Sequence, residues 1–139
     1  MADVAALQTL VAEHNRGVLV TLKRDGRPQL SNIAYALDGG VLRISVTTDR
    51  AKTKNLARDP RASLHVTTPD FWRWVVAEGM AELSPLTTAP GDEVGVELLA
   101  LHDTVQKKPH SDPDEFFAAM VTDRRQVVRL HVERFYGQA

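Results

Sequence analysis

The amino-acid sequence predicts an α+β domain: six mainly antiparallel strands forming a small β-barrel, with helices inserted between them. Three observations carry this. Apolar and polar residues alternate with period two through residues 18–23, 29–37, 41–47 and 62–67, the pattern of half-buried strands. Asp25-Gly26 and Asp38-Gly39-Gly40 are tight-turn signals that join the first three of these into a meander, so the pairing is antiparallel. Segments of helical period interrupt the strands without the regular alternation of a parallel α/β sheet.

The elements follow in order. Val4, Leu7, Leu10 and Val11 recur at helical spacing and Asn15-Arg16-Gly17 supplies a stop, which predicts an amphipathic helix over 3–14. Residues 18–23 and 29–37 are the arms of a hairpin, because Asp-Gly accepts the positive φ angles its turn requires. A third strand covers 41–47. Thr48 or Asp49 is placed to cap a short helix that begins near Arg50 and stops before Pro60. The fourth strand, 62–67, is broken by Thr68-Pro69-Asp70. Residues 71–83 form a long fifth strand, rich in aromatic and β-branched side chains, with Gly79 marking a bend. Val94, Leu98, Leu101 and Val105 predict a helix over 92–105. Asp112-Pro113 is an N-cap followed by a helix-opening proline, so a last helix runs to about residue 122. Residues 127–132 close the sheet, with Phe135 and Tyr136 just beyond. No repeat or linker interrupts residues 1–139, which form one domain.

Composition removes several classes of function. A chain of 139 residues buries about two-thirds of the surface it exposes when unfolded, enough for a core without staples. There is no cysteine, so disulfides, thiol catalysis and thiolate metal sites are excluded. No apolar run approaches the ~20 residues that cross a bilayer, and Met1-Ala2-Asp3-Val4 lacks the basic and apolar regions of a signal peptide. The expectation is a cytoplasmic protein that does not engage membranes. A net charge of −1 argues against a nucleic-acid partner, which calls for a broad basic face. The five histidines are scattered without HxH or HxxxH spacing, so no metal site is expected. GxSxG, GxGxxG and Walker motifs are absent.

The positive charge is concentrated in residues 50–61, where Arg50, Lys52, Lys54, Arg58 and Arg61 face a single acid, Asp59. Cations in the first turn of a helix meet the positive end of its dipole. Arg50 and Lys52 there suggest a bound anion, to which the free backbone N–H groups of the helix start would also point. At ~100° per residue, Arg50, Lys54 and Arg58 share one face, whereas Lys52 lies on the side of Leu56, which faces the sheet. Lys54 and Arg58 then read as solvated charges, and a wet helix surface is the alternative for the whole run.

Polar residues mark the strands as well. Gln29, Ser31 and Ile33 share one face, as do Ser45 and Thr47 on the next strand. These small hydroxyls and amides either hydrogen-bond a flat heterocycle or form the wet face of the sheet. Trp72 and Trp74 share a face of the long strand, placed either to stack on a ring or to pack a subunit interface.

The runs Asp25-Gly26-Arg27-Pro28-Gln29-Leu30-Ser31-Asn32 and 50–63, from Arg50-Ala51-Lys52-Thr53-Lys54-Asn55 onward, resemble the pyridoxamine 5′-phosphate oxidase-like superfamily. More narrowly they resemble its branch of small oxidoreductases that use the deazaflavin coenzyme F420. Residues 76–81 and 120–125 fit the same branch. The resemblance implies an FMN-binding split barrel: a homodimer of six-stranded barrels with two cofactors in grooves at the subunit interface. It implies that Lys52, Thr53 and Asn55, with Arg50 and the helix start at Ala51, hold a phosphate. Gln29, Ser31, Asn32, Ser45 and Val46 would line the ring, and Trp72 and Trp74 would come from the other subunit. The implied activity is hydride transfer from reduced F420 to a small conjugated acceptor such as an enone, a quinone-like compound or a tetrapyrrole, with no catalytic triad. FMN chemistry like that of pyridoxamine phosphate oxidase is the first alternative, and a carrier of F420 or a tetrapyrrole without turnover the second.

Overall fold

The computed structural model describes residues 3–139; Met1 and Ala2, which belong to the N-terminal segment read above, lie outside them. Helix α1 (Val4–Glu13) leads into strands β1 (Arg16–Leu22), β2 (Pro28–Ala34), β3 (Ala36–Asp38) and β4 (Val41–Thr47). Helix α2 (Ala51–Arg58) precedes β5 (Arg61–Thr67) and β6 (Trp74–Leu83), and α3 (Glu93–Gln106) and α4 (Pro113–Thr122) precede β7 (Arg125–Gln138). The strands form one curled sheet in the order β2-β1-β5-β6-β7-β4-β3, and every ladder is antiparallel.

The predicted strand over 29–37 is two strands, making seven in place of six. Tyr35 divides it. Its N–H donates to the Asn15 carbonyl at 3.0 Å and its phenol to the Val11 carbonyl at 2.7 Å, which turns the chain out of the ladder. The side chain is buried against α1, and burial holds the phenol protonated well above its usual range. Alternation continues across Tyr35, so periodicity alone misses the break. As a result β2 and β3, consecutive in sequence, lie at opposite edges of the sheet.

Three further boundaries differ. The helix N-cap is Arg50, with no side-chain capping bond; neither Thr48 nor Asp49 fills that place. Instead the Thr53 hydroxyl donates to the Thr47 carbonyl at 2.8 Å. Residues 71–73 are not strand, because Thr68 and Asp70 form a turn: the Asp70 carboxylate accepts from the Trp72 N–H, and Thr68 Oγ1 from the Arg73 N–H. Phe71 takes φ +74° there. Trp72 and Trp74 therefore do not share a strand face. Finally, β7 extends to Gln138 and pairs β6 along its length, with a bulge between Glu78 and Gly79. A Cβ at Gly79 would collide with the His131 carbonyl, so the glycine read as a bend is required by close backbone approach.

Leu19, Leu64, Ala77, Leu130 and Val128 point into the barrel, and Leu7, Leu10 and Val11 of α1 join the same core. A second apolar cluster, Val94, Leu98, Phe116 and Val127, packs α3 and α4 onto the sheet. The Glu97 carboxylate fixes α3 there: it accepts from Arg43 at 2.9 Å and from Arg129 at 2.6 and 2.9 Å. The Arg129 bonds and then those of Arg43 hold its carboxyl below the usual range, against partial desolvation. Among the described residues, no helix is long and apolar enough to cross a membrane.

Candidate functional site

The barrel is open along one seam. Strand β4 pairs with β3 only through Val41, Leu42 and Arg43, so residues 44–47 have no ladder on that side. Strand β2 pairs only with β1 among the described residues. A groove of about 390 Å³ opens between these two stretches, within the size range of small-molecule sites. Asn32, Ala34 and Ser45 line its sheet side, Lys52 and Arg125 its basic end, and residues of α3 and α4 the opposite wall.

At the basic end, Lys52 is half-buried and has no ion-pair partner among the described residues. Its ammonium is held below the usual lysine range by desolvation first, then by repulsion from Arg50 and Arg125. Arg125 donates through Nη1 to Ser45 Oγ at 3.3 Å, while its Nε is buried without a hydrogen-bond partner. The nearest carboxylate, Asp123, stands 4.0 Å away. Three cations thus converge, with Asp123 at 4.0 Å from Arg125 and Asp49 beside Arg50 as the acids near them, and Lys52 left without either. A buried, unpaired donor costs ~1–3 kcal/mol, so this end of the groove favours a ligand rich in acceptor oxygens. By helix geometry, the N–H groups of Ala51, Lys52 and Thr53 lack intrahelical acceptors and add to the same preference.

The predicted residues divide into three groups. Lys52, Asn32 and Ser45 meet at the groove, with Arg50 and Ala51 exposed at the adjoining helix start. Gln29, Thr53 and Asn55 are engaged within the fold. Asn55 Nδ2 donates to Gln29 Oε1 at 2.7 Å and to Thr21 Oγ1 at 3.1 Å, and Thr53 is committed to Thr47. Val46 is 1 % exposed and points into the core, leaving only its backbone to meet a ligand. Ser31 lies on the Leu19 face of the sheet, its hydroxyl buried without a partner. Trp72 is 77 % exposed in its turn, and Trp74 packs edge-on against Tyr136 at 6.1 Å; neither lines the groove within this chain.

Two features were not anticipated. Arg58 is not simply solvated: its Nη2 donates to the Leu22 carbonyl at 2.6 Å and to Asn55 Oδ1 at 3.2 Å, fastening α2 to β1. Arg125 belongs to the site through the register Thr47↔Arg125, which no local pattern encodes. The signal available was its place in a run of charged residues, Asp123-Arg124-Arg125, directly before a strand. Among the described residues, no group of three or more His, Asp or Glu side chains converges as a metal site would.

A curled antiparallel sheet, open at one seam with a groove along it, defines a split barrel. The family model described as pyridoxamine 5′-phosphate oxidase matches residues 4–139, and the chain belongs to that family. Among solved structures, it is similar to an F420 reductase at 28 % identity and TM-score 0.71, covering 93 % of this chain and 94 % of that one. It is similar also to a heme binding protein from Mycobacterium smegmatis at 27 % identity and TM-score 0.72, covering 99 % of this chain but 54 % of that one. A conserved hypothetical protein from Mycobacterium tuberculosis, 23 % identical, shares the fold with TM-score 0.77 over 99 % of this chain and 84 % of that one.

Proposed function

We propose that this chain is a cytoplasmic F420-dependent reductase that works as a homodimer. The observation that carries the reading is the convergence of Arg50, Lys52 and Arg125 at one end of a groove whose lining contains no acidic side chain among the described residues. The similarity to an F420 reductase over nearly the whole of both chains supports the choice of cofactor. The residues suit a phosphorylated tricycle: Lys52, the free N–H groups of α2 and the unpartnered Arg125 Nε would hold the phosphate. Asn32 and Ser45 offer polar atoms along the edge of the ring.

When bound, the reduced deazaflavin supplies a hydride to an electron-poor conjugated acceptor, such as an enone, a quinone-like compound or a tetrapyrrole. The chain's own residues bind and orient. Lys52 holds the phosphate, Arg125 braces Ser45 against it, and the apolar wall of α3 and α4 excludes water. A second copy would cover the outer sheet face, where Leu30 is 60 % exposed and Trp74 and Tyr136 also sit, and would bring the protruding Trp72 towards the partner's groove.

The test is a titration of the purified protein with F420, followed by tryptophan fluorescence. Saturable quenching at tens of micromolar or below is expected, with affinity reduced about tenfold in Lys52→Ala, since a hydrogen bond to a charged group is worth ~1.5–3 kcal/mol. Absence of quenching overturns the reading. A parallel FMN titration that saturates first would favour the FMN alternative, and tight F420 binding with no turnover on a panel of acceptors would favour a carrier.

A further inference from the structure

A buried polar side chain needs a reason, since an apolar residue of the same shape often serves a core as well. Three of them, Ser84, Thr87 and Gln126, meet at one place. The ladder between β6 and β7 ends at Leu83↔Val128, so residues 125–127 run past the end of β6 and, among the described residues, keep a strand partner only in β4. The loop after β6 takes over the open side. There the Ser84 N–H donates to the Val127 carbonyl at 2.9 Å and the Thr87 N–H to the Arg125 carbonyl at 3.0 Å. The Val127 N–H returns a bond to Ser84 Oγ at 2.7 Å, and Gln126 Nε2 donates to the Ser84 carbonyl at 2.8 Å.

This clasp grips the backbone that carries Arg125 and stays out of the groove. Alternation along β7 puts Gln126 on the Val128 face, opposite Arg125 and Val127, and none of Ser84, Thr87 and Gln126 lines the groove. Just before Arg125 the chain leaves α4 through Arg124 at φ +56°, and the Thr48 N–H reaches the Arg124 carbonyl only at 3.4 Å. Without the clasp, the start of β7 would be tethered on one side alone, to the strand that borders the open seam. Thr87 extends the chain of bonds. Its hydroxyl donates to Asp92 Oδ1 at 2.8 Å, and the same oxygen accepts from the Gly95 N–H, so the carboxylate that caps α3, one wall of the groove, also steadies Arg125 at the basic end.

We infer that Ser84, Thr87 and Gln126 are positioning residues for Arg125: they fix the start of β7 so that its guanidinium, with Nη1 on Ser45 Oγ and Nε unpartnered, stands ready beside Lys52 to receive an anion. Binding groups must be held within about 0.5 Å by neighbours whose own places are set. The position of the bonds separates this role from mere closure of the sheet. From Val128 to His131, β4 and β6 flank β7 on both sides and no such clasp is built; it is built where Arg125 is. The inference rests on the reading of the basic end as an anion site and is independent of which cofactor brings the anion.

The experiment titrates the full chain with inorganic phosphate, followed by phosphorus NMR. Gln126→Met keeps the length of the side chain and removes its donor; Ser84→Ala, the smaller change, removes the hydroxyl and decides the matter if Gln126→Met does not fold. Each is expected to weaken phosphate about threefold or more, part of what a hydrogen bond to a charged group contributes. In an Arg125→Ala background, where Arg50 and Lys52 remain to bind, neither should have a further effect, because a positioning residue acts only through the group it positions. Tyr35→Phe, which removes a buried bond to α1 instead, should lower the melting temperature and spare phosphate affinity. Unchanged affinity in Gln126→Met and Ser84→Ala, the same loss with Arg125 absent, or an equal loss in Tyr35→Phe would each overturn the inference and leave the anion site standing. Failure of phosphate to bind the wild type would overturn the anion site and the inference with it.

Discussion

Asn55 Nδ2 donates to Gln29 Oε1 at 2.7 Å, joining the basic helix to the strand at the edge of the sheet. The same amide nitrogen reaches Thr21 Oγ1, and Asn55 is 7 % exposed, so the contact is shielded from water and sets where α2, and with it Lys52, stands over the groove. Asn55→Ala is expected to destabilise the fold by ~1–3 kcal/mol, because it leaves buried partners unsatisfied. A double-mutant cycle with Gln29→Ala, measured by urea denaturation, should return a coupling of at least ~0.5 kcal/mol. Independent effects of the two substitutions would show that the pair does not position the helix.

Lys52 is a charge held at a cost. Since desolvation and neighbouring arginines both lower its proton affinity, Lys52→Met should raise the melting temperature of the unliganded protein by ~1–2 °C. The same variant should lose the stabilisation that inorganic phosphate gives the wild type, which at a hundred times the dissociation constant amounts to ~2.7 kcal/mol. Thermal melts with and without phosphate check both halves. An unliganded variant less stable than wild type would mean that Lys52 has a structural partner.

Asp92 makes α3 dependent on pH. Its carboxylate accepts from the N–H groups of Thr88, Ala89 and Gly95 and from the Thr87 hydroxyl. These bonds, that of Thr88 foremost, lower its pKa from 3.8 to about 2. A group whose folded pKa is depressed stabilises above the unfolded value, and that contribution is lost as pH falls through the folded one. Stability should therefore drop between about pH 4 and pH 2 by an amount that Asp92→Ala abolishes, on top of the ~1 kcal/mol that loss of an N-cap costs at neutral pH. Urea denaturation at pH 7, 4 and 2.5 reads the difference.

At the bulge, Gly79→Ala is expected to destabilise by ~2 kcal/mol or more, because the added methyl meets backbone rather than a movable side chain. Gly26→Ala is the comparison: that glycine sits at φ +85° with open space around it, so its cost is conformational only, ~1 kcal/mol. If Gly79→Ala proved the milder of the two, the β6–β7 crossing would have to be looser than it stands.

Elements defined by their own residues were legible in the sequence. The helix over 92–105, the proline-opened helix after Asp112, the Asp-Gly hairpin and the basic helix all stand where local pattern puts them, within a residue or two. What escaped depends on distant partners. Tyr35 breaks its strand because of α1, and Arg125 enters the groove because β7 lies beside β4. Trp72 leaves the sheet because Asp70 accepts its N–H. Lys52 was legible because helix period alone turns it towards the sheet, away from Lys54. The resemblance makes ligand contacts of Asn55 and Gln29, yet the two amides bond each other, a pairing visible only once helix α2 is folded against β2.

The opening between β2 and β4 has a mechanical meaning. A closed barrel distributes strain around a full ring of ladders; here the ring is completed only by the covalent passage through Tyr35, and no ladder joins β2 to residues 44–47 of β4. Any molecule lodged in the gap acts as the missing stave, so occupancy and stiffness rise together. Hydrogen–deuterium exchange along β2 would then count bound ligand as directly as a spectroscopic signal does.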